Sequence, residues 1–184
     1  TTNQRQVDQA KRMFDAIASL PSSLLHLDLP RTSYTDPVPD LRLPPNLKTL
    51  VVSVQVTKVL AKTLPRSLTL LSVDSIYEEA LIELPRALTD VECGILQIDN
   101  FELFGSSLPP NLVSLTAELS GGFSDSDTSE PTPLPKTLRR FRAPGNEQAF
   151  LDDNSVLIFC NSNLEYTTFD ASPELTDNGI KLLQ

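Results

Sequence analysis

The chain has no Trp, one His, one Met and two Cys among its 184 residues. One imidazole and two thiols cannot complete a four-ligand zinc site without carboxylates. The phosphate-binding glycine motifs GxxxxGK(S/T) and GxGxxG are also missing. We therefore assign no catalytic residue, no metal ligand and no cofactor from the sequence, and we expect a protein that is not an enzyme.

Positive charge and long apolar runs are scarce as well. Fifteen Lys and Arg stand against 24 Asp and Glu, which gives a net charge of −9. Nucleic acids and anionic membranes attract Lys and Arg, so this balance argues against both as partners. No apolar run approaches the roughly 18 residues of a membrane-spanning helix. Without an evident signal peptide, the sequence favours an intracellular protein with buried free thiols at Cys93 and Cys160.

What the chain has in quantity is one repeated phrase, LPxxLxxLx followed by a small or apolar residue. Its Leu-Pro pair begins at Leu20, Leu43, Leu64, Leu84, Leu108 and Leu134. A worn copy without the Pro occupies residues 162–169. Recurring Leu at intervals of about 20–29 residues is typical of a repeat solenoid.

Each copy has the alternation of a strand. We number a copy from the Leu that follows LPxx, which is position 1. Positions 1, 4 and 6 are apolar almost throughout, and in the second copy they are Leu47, Leu50 and Val52. Positions 4 and 6 alternate with 3 and 5, which predicts a strand with positions 4 and 6 buried. One short strand cannot bury its own face, so stacked copies should form a parallel sheet over a shared core. The Pro, which lacks an N–H, marks the corner before each strand.

The segments between strands differ in composition. Residues 54–63 and 75–83 have apolar residues at spacings that suit a short outer helix. Residues 94–107 are predicted to be an apolar outer segment that packs inward. Residues 120–133, rich in Gly, Ser, Asp and Pro, are predicted to be a flexible acidic insertion.

The N-terminal stretch, residues 1–19, reads as an amphipathic helix with Val7, Ala10, Phe14 and Ile17 on one face. One end of a stack of repeats must be covered, and such a helix would cap it. We therefore divide the chain into a capping helix (1–19) and about seven repeats (20–184).

These features resemble the leucine-rich repeat superfamily, in the variants with an LPxxLxxLxL consensus that occur in bacterial effectors and in FNIP-type and fungal repeat proteins. The resemblance implies an α/β repeat solenoid: a curved parallel β-sheet with irregular or short helical outer segments and an N-terminal capping helix. The family's Asn three residues past position 6 is kept here only as Asn146, so we expect an irregular outer side.

The resemblance also implies a function, namely a non-catalytic scaffold that binds a protein partner on the concave face of the sheet. Two alternatives stay open. In the first, the chain is the substrate-recognition arm of a ubiquitin ligase of the F-box or bacterial-effector type, and the catalytic or adaptor part lies outside this chain. In the second, the chain is a structural repeat subunit of a larger assembly.

Positions 3 and 5 should project from the concave face in columns about 4.8 Å apart. The residues predicted to contact the partner are the apolar Val51 and Leu70, the acidic Asp90 and Glu92, and the basic Arg140 and Arg142. Alternatively, the two arginines only pair with acidic neighbours across the sheet. His26 beside Asp28 has two elements of a catalytic triad, but no nucleophile has a matching spacing, so we interpret it as a surface His.

Overall fold

The computed structural model describes residues 15–29, 42–99, 101–121, 132–144, 159 and 163–169. In this part of the chain, eight strands form one sheet in which every pairing is parallel. The strands are β1 (His26–Asp28), β2 (Thr49–Val51), β3 (Gln55–Val56), β4 (Leu70–Tyr77), β5 (Asp90–Gln97), β6 (Ser114–Ser120), β7 (Arg140–Ala143) and β8 (Tyr166–Phe169). Their order is β1-β2-β4-β5-β6-β7-β8, and the short β3 also pairs with β4.

Three short helices lie between strands. They are α1 (Lys58–Thr63), α2 (Glu78–Leu81) and α3 (Phe101–Ser107). The N-cap of α1 is Thr57, whose hydroxyl accepts a hydrogen bond from the Leu60 backbone N–H at 3.4 Å. None of the helices in the described ranges has the length and apolarity needed to cross a membrane. A parallel sheet with a few short helices confirms the predicted α/β class.

All six LPxx segments form the same turn. In each, the position 1 Leu donates its backbone N–H to the carbonyl of the Pro three residues earlier, at 2.9 to 3.2 Å. Position 2 then pairs with position 2 of the preceding copy: Thr69 N donates to Lys48 O, and Arg139 N donates to Val113 O. Because the LPxx copies form the same turn and successive copies are joined by the same bond, these copies share one register.

A row of polar side chains, which we call the turn ladder, joins these turns. Its members occupy the residue before position 1, which is the second x where LPxx is kept, and each can donate to the carbonyl of the equivalent first x residue in the preceding copy. The bonds are Asn46 to Ser22 (3.0 Å), Ser67 to Pro45 (2.9 Å), Asn111 to Arg86 (2.9 Å), Thr137 to Pro110 (2.8 Å) and Asn163 to Lys136 (3.2 Å). The fourth copy has Ala87 at this place, so the Arg66 carbonyl receives no side-chain donor from the described residues.

The core follows the predicted positions. Leu50, Leu71 and Leu115, all at position 4, are 1%, 0% and 1% exposed, which confirms the prediction that they are buried. The core also includes aromatic side chains. Phe141 and Phe159 are buried with ring centroids 4.8 Å apart, and Phe104 is buried as well. In the first copy, at the edge of the sheet, the position 1, 4 and 6 residues are only partly buried.

The central strands are longer than the repeat phrase predicts. The prediction of a helical return segment over residues 75–83 is wrong at its start, because β4 continues through Tyr77 and α2 begins at Glu78. The reason is that neighbouring copies stay extended here and pair again, with Ile76 opposite Leu96 and Leu96 opposite Leu119. These three side chains are buried, so the extension adds a second row to the core.

This second row begins at a register shift between Cys93 and Ile95. The residue between them is Gly94, where an added Cβ would lie 2.7 Å from the Asp74 carbonyl oxygen. A side chain would collide with backbone there, so the irregularity depends on glycine.

Residues 94–107 do not pack inward as a whole, contrary to expectation. Leu96, Ile98 and Phe104 are buried, whereas Ile95 is 40% and Leu103 is 51% exposed. Strand alternation and helical geometry each turn part of this segment outward, since neither can bury every residue.

Several predicted features extend beyond the described residues. Of the capping helix, residues 15–18 are helical and Ile17 is buried, whereas residues 1–14 lie outside the described ranges. Cys160 and residues 122–131 of the predicted insertion also lie outside them. The boundary at residue 120 is wrong, because Ser120 ends β6 and pairs with Gln97.

Candidate functional site

Positions 3 and 5 run in straight columns across the sheet, in the predicted register. The position 3 column is His26, Thr49, Leu70, Asp90, Ser114, Arg140 and Tyr166. The position 5 column is Asp28, Val51, Ser72, Glu92, Thr116, Arg142 and Thr168. These fourteen residues form the surface that we call the polar face. It lies opposite the buried positions 4 and 6, because successive side chains of a strand point to opposite sides.

The six residues predicted to bind a partner all lie on the polar face, and they differ in exposure. Val51, Leu70 and Asp90 are partly exposed, whereas Glu92, Arg140 and Arg142 are exposed. The two apolar residues lie on the neighbouring strands β2 and β4, where Val51 pairs with Ser72, the residue two after Leu70. Val51 and Leu70 are therefore neighbours on the polar face, and Leu70 lies on the strand next to the acidic strand β5.

Arg140 is already engaged within the molecule. Its Nη2 lies 3.7 Å from Oδ1 of Asp90, across the intervening strand β6 at Ser114. Asp90 also accepts a hydrogen bond from the Thr89 hydroxyl at 2.8 Å. Both partners of the ion pair are well exposed, so its contribution to stability is small, about 0–1 kcal/mol. The alternative that the arginines pair across the sheet is right for Arg140.

The same alternative is wrong for Arg142. Within the described residues, the side chains of Glu92 and Arg142 form no hydrogen bond and no ion pair. Thr116 lies between them, since it pairs with Glu92 on one side and with Arg142 on the other. At about 4.8 Å per strand, their backbones are about 10 Å apart. Glu92 and Arg142 are therefore a carboxylate and a guanidinium at a fixed spacing, each without a partner among the described residues.

His26 shows no catalytic arrangement with Asp28. Its Nδ1 lies 2.9 Å from Oγ1 of Thr49, the next residue in the position 3 column. The imidazole is exposed, which agrees with the interpretation as a surface His.

Cys93 occupies position 6 and is a buried free thiol, as predicted. Burial, and secondarily the negative charge of Glu92, raise the pKa of this thiol to about 12. The nucleophilic thiolate is therefore rare at neutral pH, which indicates a packing role for Cys93.

A second candidate surface lies on the outer side of the sheet, where the length of the segments between the strands already offers an alternative place for a partner. Val59 on α1, Ile82 after α2 and Leu103 on α3 are 64%, 70% and 51% exposed. These side chains lie on three successive outer segments, so they supply matched positions for testing which side of the sheet binds. The described residues contain no group of three or more His, Cys, Asp or Glu side chains that could hold a metal ion. Comparisons with protein-family models, with curated proteins and with solved structures found no match to this chain.

Proposed function

We propose that this chain is a solenoid of the leucine-rich-repeat type and that it is a non-catalytic module binding a protein partner. In this proposal the polar face is the concave side of the solenoid and carries the binding site. The fold half of the proposal is supported by strand order, which follows chain order for the seven strands that carry positions 3 to 5, and by their constant register.

The observation that carries the functional half is the fixed placement of chemically different side chains. Val51 and Leu70 are partly exposed on β2 and β4, and free charges follow at Glu92 and Arg142. Side chains held by a paired sheet lose little conformational freedom when a partner binds. Apolar residues next to charges of both signs suit a protein surface of complementary pattern.

Nucleic acid is a poorer candidate for this surface. Among the six predicted contact residues, Arg142 is the only cation without a partner in the described part of the chain, since Arg140 is paired with Asp90. Two carboxylates, Asp90 and Glu92, lie on the same face and would repel phosphates.

The test compares one substitution on each side of the sheet. Leu70→Asp places a charge on the polar face, and Ile82→Asp does the same on the outer side, where the parent residue is 70% exposed. Both variants should keep the melting temperature of the unaltered protein to within a few degrees. Partners captured by the unaltered full chain are identified by quantitative mass spectrometry, purified and titrated against both variants.

We expect Leu70→Asp to lower the affinity for the purified partner at least about fivefold, a loss of at least about 1 kcal/mol, because a central contact is replaced by an unpaired charge. Ile82→Asp should leave the affinity unchanged. The opposite pattern would place the site on the outer helices and reject the polar face.

A further inference from the structure

The charges of the polar face divide into paired and free ones, and only the free ones can direct a partner without first breaking a contact. Arg140 is paired with Asp90, and Arg139, beside the face, is paired with Glu165 at 3.8 Å. The charges without a partner on this face are, among the described residues, Asp28 on β1, Glu92 on β5 and Arg142 on β7.

Asp28 begins the position 5 column, and Glu92 and Arg142 follow the apolar residues on its other side. Going across the strands along position 5, Val51 is followed by Ser72, Glu92, Thr116 and Arg142. Val51 and Glu92 are two strands apart, as are Glu92 and Arg142, so each step measures about 10 Å. The residues between them, Ser72 and Thr116, are small and partly buried, so they leave the three larger side chains as the features a partner meets.

An α-helix laid across the strands matches this spacing. Residues seven apart in a helix lie on the same side and are about 10.5 Å apart along the axis. An extended segment would need three residues per step, and residues three apart in a strand point to opposite sides. The spacing therefore favours a helix over a strand.

We infer that the partner presents an amphipathic helix whose apolar, basic and acidic side chains, seven residues apart, contact Val51 with Leu70, Glu92 and Arg142 respectively. This inference depends on the proposed function, and it adds the partner's secondary structure and the order of its charges. The helix direction is open, but in both directions the basic residue lies between the apolar and the acidic one.

The experiment uses a displayed library of helical 21-residue peptides, randomised along one face, as the probe. Binding peptides are selected separately on three proteins. These are the unaltered full chain, the double variant Glu92→Arg with Arg142→Glu, and the double variant Lys62→Glu with Glu83→Lys. The last pair exchanges the charges of an outer-side ion pair whose atoms are 3.6 Å apart, so it keeps the net charge and leaves the polar face intact.

The unaltered chain and the outer-side control should enrich peptides with a basic residue between the apolar and acidic ones. The polar-face exchange should enrich peptides with an acidic residue in the middle. A single mismatch of charge should change the dissociation constant of a selected peptide about two- to fivefold, as expected for exposed charge pairs.

Three outcomes overturn the inference: the same charge order from all three proteins, selected peptides without any charge order, or no peptide selected. Failure of the proposed function looks different. Selected peptides and the captured partner would then bind Leu70→Asp as well as they bind the unaltered chain.

Discussion

The Thr137 hydroxyl lies 2.8 Å from the Pro110 carbonyl oxygen and 2.8 Å from the Leu112 carbonyl oxygen, both in the preceding copy. A hydroxyl has one proton, so it donates to one of the two at a time. Ser67 has the same choice between Pro45 at 2.9 Å and Leu47 at 2.7 Å. The turn ladder thus joins each of these copies to its predecessor through one of two carbonyls, that of the core Leu at position 1 or that of the residue two before it.

Restoring the missing member of the turn ladder should stabilise the fold. We expect Ala87→Thr to raise the free energy of unfolding by about 0.5–1.5 kcal/mol, because the new hydroxyl can donate to the Arg66 carbonyl. Urea denaturation measures the change. The control is Ala87→Val, which has the same shape and no donor. Equal stabilisation by Val and Thr would show that side-chain volume, and not the hydrogen bond, is responsible.

Truncation of the buried position 4 should be far more costly than truncation of the neighbouring position 3. We expect Leu50→Ala, Leu71→Ala and Leu115→Ala each to lower the free energy of unfolding by about 2–5 kcal/mol, since each side chain is at most 1% exposed. Leu70→Ala, on the opposite side of the same strand, should cost less than about 1.5 kcal/mol. A larger loss of stability for Leu70→Ala than for Leu71→Ala would indicate that the strand is displaced by one residue from this register, since a one-residue slip exchanges the two faces.

Thr167 is a weak point of the last described copy. It occupies position 4, opposite Phe141, where the other copies have Leu, Val or Phe. Its Oγ1 is buried and has no hydrogen-bond partner among the described residues. We expect Thr167→Val to raise the free energy of unfolding by about 1–2 kcal/mol, because an unsatisfied hydroxyl is removed without a change of shape.

Thr49→Val is the matched control for that substitution. The Thr49 hydroxyl pairs with His26 at 2.9 Å, so its loss should lower stability slightly, by about 0.5–1 kcal/mol. If Thr167→Val destabilised the protein as much as Thr49→Val does, Thr167 would have a hydrogen-bond partner.

The buried Cys93 thiol should make stability fall at alkaline pH. Below its ordinary pKa of 9.0 the thiol is protonated in both states and contributes no pH dependence. Between pH 9.0 and about 12 the unfolded chain releases this proton while the folded protein keeps it, so unfolding becomes more favourable. We expect a loss of up to about 1.4 kcal/mol per pH unit relative to Cys93→Val. Parallel pH profiles of the two proteins from pH 8 to about 10.5 would contradict burial of the thiol.

Proteolysis tests the predicted acidic insertion, which lies mostly outside the described residues. A segment rich in Gly, Ser and Asp buries little surface, so a protease of broad specificity should cut first between residues 121 and 133. Mass spectrometry of the first fragments locates the cut. Early cleavage between Leu64 and Leu88 would contradict the prediction, because that stretch includes β4 and α2.

The columns of the polar face were predictable because the repeat phrase keeps a constant distance between its turn and its strand. Once Leu68 and Leu88 are both position 1, Leu70 must meet Asp90, and the structure pairs them. The extension of β4 and β5 was not predictable in this way. It depends on backbone pairing between copies outside the phrase, together with the close approach of Gly94 to Asp74, and neither has a sequence period.

The side-chain contacts of the site could be predicted from the sequence only in part. The column positions alone do not predict that Arg140 pairs with Asp90 across β6 while Arg142 has no partner among the described residues. Such pairing depends on the side-chain conformation, which the sequence pattern does not determine. The turn ladder did have a signal, since the second x of LPxx is polar in Asn46, Ser67, Asn111 and Thr137. The pattern alone does not indicate what these polar residues bind, because their partners are backbone carbonyls of another copy.

The shared register of the copies underlies the polar face, the turn ladder and both proposals, and scalar couplings through hydrogen bonds measure it directly. A long-range HNCO spectrum of the deuterated full chain should show Thr69 N coupled to the Lys48 carbonyl, Val113 N to that of Thr89, and Arg139 N to that of Val113. These bonds, 2.7 to 2.9 Å long, each join position 2 of one copy to position 2 of the preceding copy. The next residues, Leu70, Ser114 and Arg140, donate to the same three carbonyls at 3.0 Å, so their couplings are expected as well. Couplings to the carbonyl one residue before or after these, or between copies that are not consecutive, would contradict the register and with it the polar face.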